Sequence, residues 1–257
     1  MPATSVRTDE KLLSIPDVVA RYLRYAIPGN RQVRGVTVRQ EGEFRFGSSG
    51  QHWRPFEADE RLGLDRPAFE WDAQIKVAPL LTVRVVDSYR GGVGSTTASL
   101  LGRTFLDTRP AAELNAGALQ RCLAEAVWLP SALVAAPGIA WRGVDRHSAI
   151  ATLRDGLVRV ALQFSFNDVG EVTRIFAPAR YRSVGKEYVP TPWLVRCSDY
   201  VDVDGFRIPA QCDVSWMAGD ELFTYWRGRI CTARYDFISD TTARRELWRD
   251  VGHLKAS

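Results

Sequence analysis

The sequence predicts a mainly β (α+β) fold, an antiparallel β-barrel or half-barrel with an N-terminal helix and a central helix packed on it. Apolar and polar residues alternate with a period of two over most of the 257-residue chain, as in half-buried strands. The pairs Asp155-Gly156 and Asp204-Gly205 stand between alternating runs, and Asp-Gly favours a tight hairpin turn. About ten strands joined by such turns must curl into a barrel or half-barrel, or split into a sandwich.

The first element is a helix with start and stop signals in the sequence. Ser14 and Asp17 suit a cap and a first turn, and Pro16 suits the first helical positions. Apolar residues between positions 18 and 26 fall on one face, and Pro28-Gly29 ends the pattern. This segment predicts an amphipathic helix that packs on the sheet.

Strand patterns follow the helix. They cover residues 36–56, 69–75 and 81–89, and glycines separate them. The glycine-rich segment 91–96 resembles a phosphate-binding loop, but such a loop needs a helix N-terminus after it. The residues that follow it have a strand pattern, so we interpret the segment as a hairpin turn.

The central helix is predicted over residues 111–134. Leu119, Cys122, Leu123 and Ala126 recur at helical spacing, and Pro130 should break or kink the helix near Trp128. Strands return from Trp141, with hairpins over residues 152–166 and 197–216. The proline-containing segment 177–192 is predicted to be a long ordered loop over one end of the sheet.

The chain is expected to form a single domain over residues 1–257, with residues 1–12 as a disordered or loosely packed tail. The N-terminal residues have no apolar stretch that could span or enter a bilayer, which predicts a cytoplasmic protein without integral membrane association. The oligomeric state is left open between monomer and homodimer.

Composition argues against several classes of site. The net charge is +4, but the basic residues are scattered instead of clustered, so no nucleic acid partner is expected. His52, His147 and His253 lack metal-ligand spacing, and the four cysteines contain no C-x-x-C pair. No Gly-x-Ser-x-Gly nucleophile elbow occurs. We therefore expect no metal and no cofactor.

Six blocks of residues carry a resemblance to a known family. They are residues 15–23, 123–133, 191–193, 198–200, 207–209 and 225–228. In their order and spacing the chain resembles the bacterial family of unknown function DUF6544, also catalogued as DUF6920, over about residues 13–235. The resemblance implies a curved β sheet with a helical element over its concave face, similar to bacterial lipoprotein carriers. It implies no particular activity, because most members have none assigned.

Aromatic residues concentrate in the last third of the chain and predict an aromatic-lined cavity for a hydrophobic or amphipathic small molecule. The ligand-binding candidates are Tyr89, Trp128, Trp216, Trp226 and Arg229. The tryptophans would line the walls and Arg229 would hold an anionic group. The same aromatic residues could instead form solid core.

The catalytic candidates are Glu125, Tyr200, Tyr225 and Asp199. A tyrosine would donate a hydrogen bond to a carbonyl, and Glu125 or Asp199 would act as acid or base. Such a site fits a cofactor-independent cyclase or isomerase that closes rings, in a cycloaddition-like manner, in polyketide-type secondary metabolism and antibiotic biosynthesis. The alternative reading is a non-catalytic carrier or sensor of a lipid or another hydrophobic ligand. For Glu125 the plainer possibility is a carboxylate on the helix surface.

Overall fold

Thirteen antiparallel strands form one continuous curved sheet, a half-barrel with a few helices. The structure, a computed structural model, describes residues 15–29, 31–46, 52–185, 187–219 and 221–238. The expected tail at residues 1–12 lies outside this range. The strands are β1 Val33–Phe44, β2 Arg54–Gly63, β3 Ala68–Ala78, β4 Leu81–Arg90, β5 Val93–Leu100, β6 Arg103–Asp107, β7 Ile139–Asp145, β8 Ser148–Asp155, β9 Val158–Phe166, β10 Val172–Val184, β11 Glu187–Val203, β12 Phe206–Ala218 and β13 Glu221–Phe237.

The order of the strands in the sheet is β6-β5-β4-β3-β2-β1-β13-β12-β11-β10-β9-β8-β7. Every neighbouring pair except one is also consecutive in sequence, as expected for a meander of hairpins. The exception is the pairing of β1 with β13, which runs from Val33 opposite Phe237 to Phe44 opposite Trp226. The first and last strands therefore meet in the middle of the sheet, and β6 and β7 are its edges.

Three helices cover the concave face. Helix α1 spans Asp17–Ala26, α2 spans Ala112–Glu125 and α3 spans Ala132–Ala135, with a 3-10 turn at Ala126–Trp128 between α2 and α3. The predicted break before Pro130 is confirmed, because a proline cannot continue a helical hydrogen-bond ladder. None of these helices, nor any other in the described part of the chain, is long and apolar enough to span a bilayer.

Helix α2 bridges the two wings of the half-barrel. One side of it packs on β4 and β5, and the other side packs on β9 and β10. The amide of Gly94 on β5 donates to Asn115 Oδ1 (2.9 Å), and Gln120 donates to the carbonyl oxygen of Ala179 on β10 (3.1 Å). Helix α1 covers the other end of the concave face, against β12 and β8.

The core lies between the concave face and the helices, and the two-residue period determines which side chains enter it. On β2 the buried residues are Phe56, Ala58, Glu60 and Leu62, while the residues between them are exposed. The same alternation runs along β3, β8 and β9. The predicted fold class and both predicted helices are thus confirmed.

The prediction of a long loop over residues 177–192 is wrong, because this segment forms the last part of β10 and the first part of β11. The ladder is irregular between Ala177 and Arg180, and exposed Pro178 lies at this bulge. Pro190 is also exposed, and it pairs with Tyr181 near the end of the hairpin. Prolines are tolerated in strands at bulges and at places where no ladder donor is needed.

Candidate functional site

Ionisable side chains meet inside the half-barrel, beneath helix α2. The group, called here the Arg121 cluster, consists of Gln40 on β1, Glu60 on β2, Asp87 on β4, and Arg121 and Glu125 on α2. The three strand residues occupy inward positions of their strands, and Arg121 and Glu125 are one helical turn apart. Three adjacent parts of the fold thus direct polar groups toward one point.

Arg121 holds the cluster together. Its guanidinium donates to Glu125 Oε1 (2.5 Å), to Asp87 Oδ2 (2.8 Å) and to Glu60 Oε1 (3.3 Å). The same group lies over the rings of Phe69 (4.7 Å) and Trp71 (5.1 Å). Burial by itself would lower the pKa of Arg121, but the surrounding carboxylates raise it, so the guanidinium remains cationic.

Glu60 is fully buried and surrounded by polar partners. Gln40 Nε2 donates to Glu60 Oε2 (2.7 Å), and Trp71 Nε1 donates to Gln40 Oε1 (2.9 Å). Burial raises the pKa of Glu60 well above its ordinary value of 4.5, and the Glu125 carboxylate raises it further. Three carboxyl groups around one guanidinium cannot all ionise cheaply, and this agrees with the raised pKa of Glu60.

Two carboxylate oxygens in the cluster have no hydrogen-bond partner among the described residues, Asp87 Oδ1 and Glu125 Oε2, although both are buried. The Asp87 side chain as a whole is nevertheless 26% exposed, and the Arg121 side chain is 17% exposed. The cluster is therefore partly accessible to solvent through Asp87 and Arg121. A group with this arrangement can accept a proton and can stabilise a developing negative charge.

A second group lies beside the first and is called the Arg180 cluster. It consists of Arg180 and Arg182 on β10, Trp193 on β11, Trp216 on β12 and Tyr225 on β13. The Arg180 guanidinium carbon lies 4.7 Å from the ring centre of Trp193 and 5.3 Å from that of Trp216. Trp216 stacks on Tyr225 (5.7 Å between centroids, 18° between planes), and Trp193 Nε1 donates to the Tyr225 hydroxyl (3.0 Å).

The two clusters meet at helix α2. Arg180 Nε donates to the carbonyl oxygen of Gly117 (3.3 Å), which is one turn before Arg121. Burial lowers the pKa of Arg180, and the nearby Arg121 lowers it as well, whereas Tyr225 and the carboxylates of the Arg121 cluster oppose this shift. The concave face thus presents acidic and basic groups side by side.

The structure brings three of the predicted site residues to these clusters. Glu125 points into the half-barrel and belongs to the Arg121 cluster, so it is not a carboxylate of the helix surface. Trp216 and Tyr225 belong to the Arg180 cluster. The Tyr225 hydroxyl accepts a hydrogen bond, and its own proton has no acceptor within the described ranges.

Tyr200, Asp199 and Tyr89 are engaged elsewhere. The Tyr200 hydroxyl exchanges two hydrogen bonds with the backbone of Val172 (3.0 Å each), and burial raises its pKa well above the ordinary value. Asp199 is exposed, has a positive φ of 54°, and accepts a hydrogen bond from Gln211. Tyr89 is buried and donates to Asp155 Oδ2 (3.0 Å), so that it ties β4 to the end of β8.

The remaining three candidates have packing or surface positions. Trp128 is buried and donates from Nε1 to the carbonyl oxygen of Pro209 (3.1 Å). Trp226 packs on Phe56, with 5.6 Å between the ring centroids. Arg229 lies on the convex face, where its guanidinium pairs with Glu41 (2.6 Å). The structure therefore places the nine predicted residues in several regions instead of one pocket.

Within the described part of the chain, a trough and a small void both lie away from the clusters. An open trough of about 870 Å³ crosses the convex face and is lined by charged and polar side chains, among them Glu41, Glu57 and Arg229. An apolar void of about 20 Å³ lies between Leu62 and α2, with room for about one water molecule. The aromatic residues of the concave face pack closely, and Trp193 and Trp216 are only 3% and 8% exposed.

Sequence reasoning missed most of the polar residues of the two clusters. Gln40, Glu60 and Asp87 each occupy a position at which the period of two requires an inward side chain. Inward positions are usually apolar, so three polar residues at inward positions of nearby strands are a signal that could have been detected from the sequence. Arg180 and Arg182 were missed because their segment was interpreted as a loop.

No curated protein matches the chain. A crystal structure of a LolA superfamily protein from Nitrosomonas europaea is similar to it, with 8% sequence identity, a TM-score of 0.42, and coverage of 87% of this chain and 94% of that chain. The family of unknown function DUF6920 matches residues 13–235. Since this match spans most of the sequence, as the resemblance in the six blocks predicted, the chain belongs to the DUF6920 family.

Proposed function

We propose that the protein binds a hydrophobic or amphipathic small molecule on the concave face of its half-barrel and rearranges it as a cofactor-independent cyclase or isomerase. The observation that carries this proposal is the Arg121 cluster, in which three carboxyl groups surround one guanidinium. Burying so many ionisable groups lowers the free energy of unfolding, so stability alone does not explain the cluster. Perturbed carboxyl groups near accessible space are typical of acid–base sites.

The roles within the site follow from the chemistry of each group. Glu60, whose pKa is raised, holds a proton that can be donated to a developing alkoxide or enolate. Glu125, with one unpartnered oxygen, accepts a proton from carbon or from a hydroxyl group. Arg121 stabilises the negative charge that forms between these steps, and Tyr225 donates a further hydrogen bond. No atoms are added or lost overall, so substrate and product are isomers.

The apolar surroundings suit a flexible, largely hydrophobic substrate. Aromatic side chains on β3, β11, β12 and β13 flank the two clusters and would favour a folded conformation of a long chain. A linear polyketide-type molecule, with carbonyl groups spaced along an apolar chain, combines these features. We include a role in secondary metabolism such as antibiotic biosynthesis, and a cytoplasmic location, in the proposal.

One observation favours the alternative of a carrier that does not change its ligand. Tyr200 and Asp199, two of the four predicted catalytic residues, make structural hydrogen bonds instead of facing the Arg121 cluster. A carrier needs apolar area and few reactive groups.

The test uses the small molecules that co-purify with the protein from its own host, identified by native mass spectrometry and extraction. These molecules are incubated in D₂O with wild-type protein and with Glu125→Gln, and are analysed by liquid chromatography and mass spectrometry. An isomerase yields a product with a new retention time and the same composition, apart from deuterium gained by proton transfer. We expect Glu125→Gln to bind the molecule but to lose at least about 100-fold in rate, as for removal of a general base.

Glu57→Gln, which changes an exposed glutamate on the convex face, is the matched control and should keep the wild-type rate. Return of the molecule unchanged by the wild type would contradict the enzyme and support the carrier. Equal rates for wild type and Glu125→Gln would remove Glu125 from the mechanism.

A further inference from the structure

The three arginines of β10, Arg174, Arg180 and Arg182, lack a carboxylate partner among the described residues, and of these Arg180 and Arg182 are partly buried whereas Arg174 is exposed. Arg180 and Arg182 are two residues apart, so both point to the concave face. Neither forms an ion pair within 4.0 Å with any described residue, whereas Arg39, Arg61, Arg84, Arg121, Arg227 and Arg229 each do. The Arg182 Nη2 atom is buried without a hydrogen-bond partner in the described part of the chain.

Aromatic rings hold these guanidiniums in place. Arg180 stacks on Trp193 and Trp216, and Arg182 lies 5.6 Å from the Trp216 ring centre and 5.7 Å from that of Phe223. Stacking uses the faces of a guanidinium and leaves its N–H groups free in the plane. Apart from the bond between Arg180 Nε and Gly117, no hydrogen bond from these two guanidiniums is formed within the described ranges.

Charge balance points in the same direction. A guanidinium withdrawn from water is unfavourable unless an anion compensates it, and burial already lowers the pKa of Arg180. Planar guanidinium groups with free N–H donors match the geometry of carboxylate and phosphate oxygens. The neighbouring rings of Trp193, Trp216, Phe223 and Tyr225 supply an apolar surface next to the charges.

We propose that Arg180 and Arg182 form an anion-binding site, flanked by Trp193 and Trp216, which holds the carboxylate or phosphate end of an amphipathic ligand. The inference deepens the proposed function and rests on it for the apolar part of the ligand. The sequence analysis expected Arg229 to hold an anionic group. In this proposal Arg180 and Arg182 hold it instead, because Arg229 pairs with Glu41 on the convex face. The reactive part of the ligand then lies toward the Arg121 cluster, since the two clusters meet at α2.

Isothermal titration calorimetry with three probes of equal chain length tests the site. Dodecanoate, dodecyl phosphate and dodecanol share an apolar chain and differ in the head group, and each is used below its micelle concentration. We expect the wild type to bind one or both anions about 10- to 100-fold more tightly than the alcohol, the factor given by a charge-assisted hydrogen bond. The preferred anion identifies the head group as carboxylate or phosphate.

Arg180→Gln and Arg182→Gln should each reduce the affinity for the anions toward that for dodecanol and leave the dodecanol affinity within about 2-fold of the wild type. The matched control is Arg174→Gln, on the same strand, where the guanidinium also lies over a ring, that of Phe176 (5.2 Å), and is exposed. It should leave all three affinities unchanged. Near-ultraviolet circular dichroism verifies that each variant is folded. If one of the two variants does not fold, the other still tests the site.

The proposed anion site would be overturned if the wild type bound the anions and the alcohol with equal affinity. It would also be overturned if the variants lost affinity for all three probes to the same extent. Failure of the proposed function gives a different result. In that case dodecanol does not bind and the co-purified molecule is returned unchanged, while the anionic probes still bind in a manner that depends on Arg180 and Arg182.

Discussion

Burial of the Glu60 carboxyl group opposes stability when the group is ionised. This carboxyl group is fully buried, and its neighbours include Glu125 as well as the neutralising Arg121. Its pKa is raised, so the native state binds a proton at a pH where the unfolded chain has already lost it. The stability contributed by this proton is fully present below the ordinary pKa of 4.5 and is lost as the pH rises through the raised pKa.

Glu60→Gln is therefore expected to flatten the dependence of stability on pH. The amide resembles the protonated acid, so the wild type should lose free energy of unfolding relative to the variant as the pH rises above about 5. Urea denaturation at a series of pH values measures this difference. Glu57→Gln, on the exposed side of the same strand, should follow the wild type, and parallel curves for Glu60→Gln and the wild type would refute the assignment.

At the residue scale, the sequence indicated candidate acidic and aromatic residues but not the way in which they are grouped. Glu125 and Tyr225 were identified from residue type and helix or strand position. Arg121 was overlooked because a helix pattern does not show which cross-sheet partners its polar side chains meet. Those partners come from β2 and β4, more than 30 positions away in the chain.

At the scale of elements, the close approach of helix α2 to strand β5 positions the Arg121 cluster. A Cβ atom added at Gly94 would lie 2.7 Å from the Ala118 Cβ and 3.0 Å from the Leu114 carbonyl oxygen. The small residue thus lets the helix rest directly on the strand, as a larger side chain would push the two apart.

Gly94→Ala is expected to lower the free energy of unfolding by about 1–3 kcal/mol, the usual cost of overpacking. Because helix α2 would move, the change should also weaken the hydrogen bonds that Arg121 on this helix makes to Glu60 and Asp87. Thermal and urea denaturation measure the stability. The matched control is Gly63→Ala at the end of β2, where an added Cβ makes only ordinary contacts of 3.7–3.8 Å. Equal stability of the two variants would mean that α2 tolerates a shift.

Helices and hairpins were predictable because their signals are local. The end of α1 at Pro28-Gly29, the break near Pro130 and the turn at Asp204-Gly205 all follow from adjacent residues. The hairpin of β10 and β11 was not predicted, since its prolines are typical of loops. Only the bulge beside Ala177 and the exposed positions of the prolines make a strand possible there.

At the scale of the whole molecule, the sheet has a protected centre and two open edges. Strand β1 pairs with both β2 and β13, whereas β6 pairs with β5 alone among the described strands. All five residues of β6 are exposed, including Phe105 at 63%. Strands with fewer partners open more easily by local fluctuation.

Amide hydrogen exchange should therefore be slowest at the seam between β1 and β13 and fastest in β6. We expect the amide of Val38, at 0% exposure, to exchange only through global unfolding and that of Leu106 to exchange through local fraying. Exchange measured by mass spectrometry at the peptide level tests this gradient. Uniform protection from β6 to β1 would show that the edge is covered in solution.

The curved antiparallel sheet was predictable from the alternation, but the strand order was not. Nothing local to Val36 or Tyr235 indicates that the first strand pairs with the last, about 200 residues later. A contact at this separation is selected by the closure of the whole core and not by a turn.

The helical segment that joins β6 to β7 runs from one edge of the sheet to the other and is the single covalent link between two halves, one ending with β6 and one beginning with β7. If the backbone were cut within this segment, the halves would still share the ladder between β1 and β13, along with the contacts of α1 with β8 and β12. The protein thus consists of two chain segments that pair through β1 and β13 and are suited to fragment complementation. Two separately expressed fragments could reassemble by complementation, and the reassembly would restore the Arg121 and Arg180 clusters only when both fragments were present.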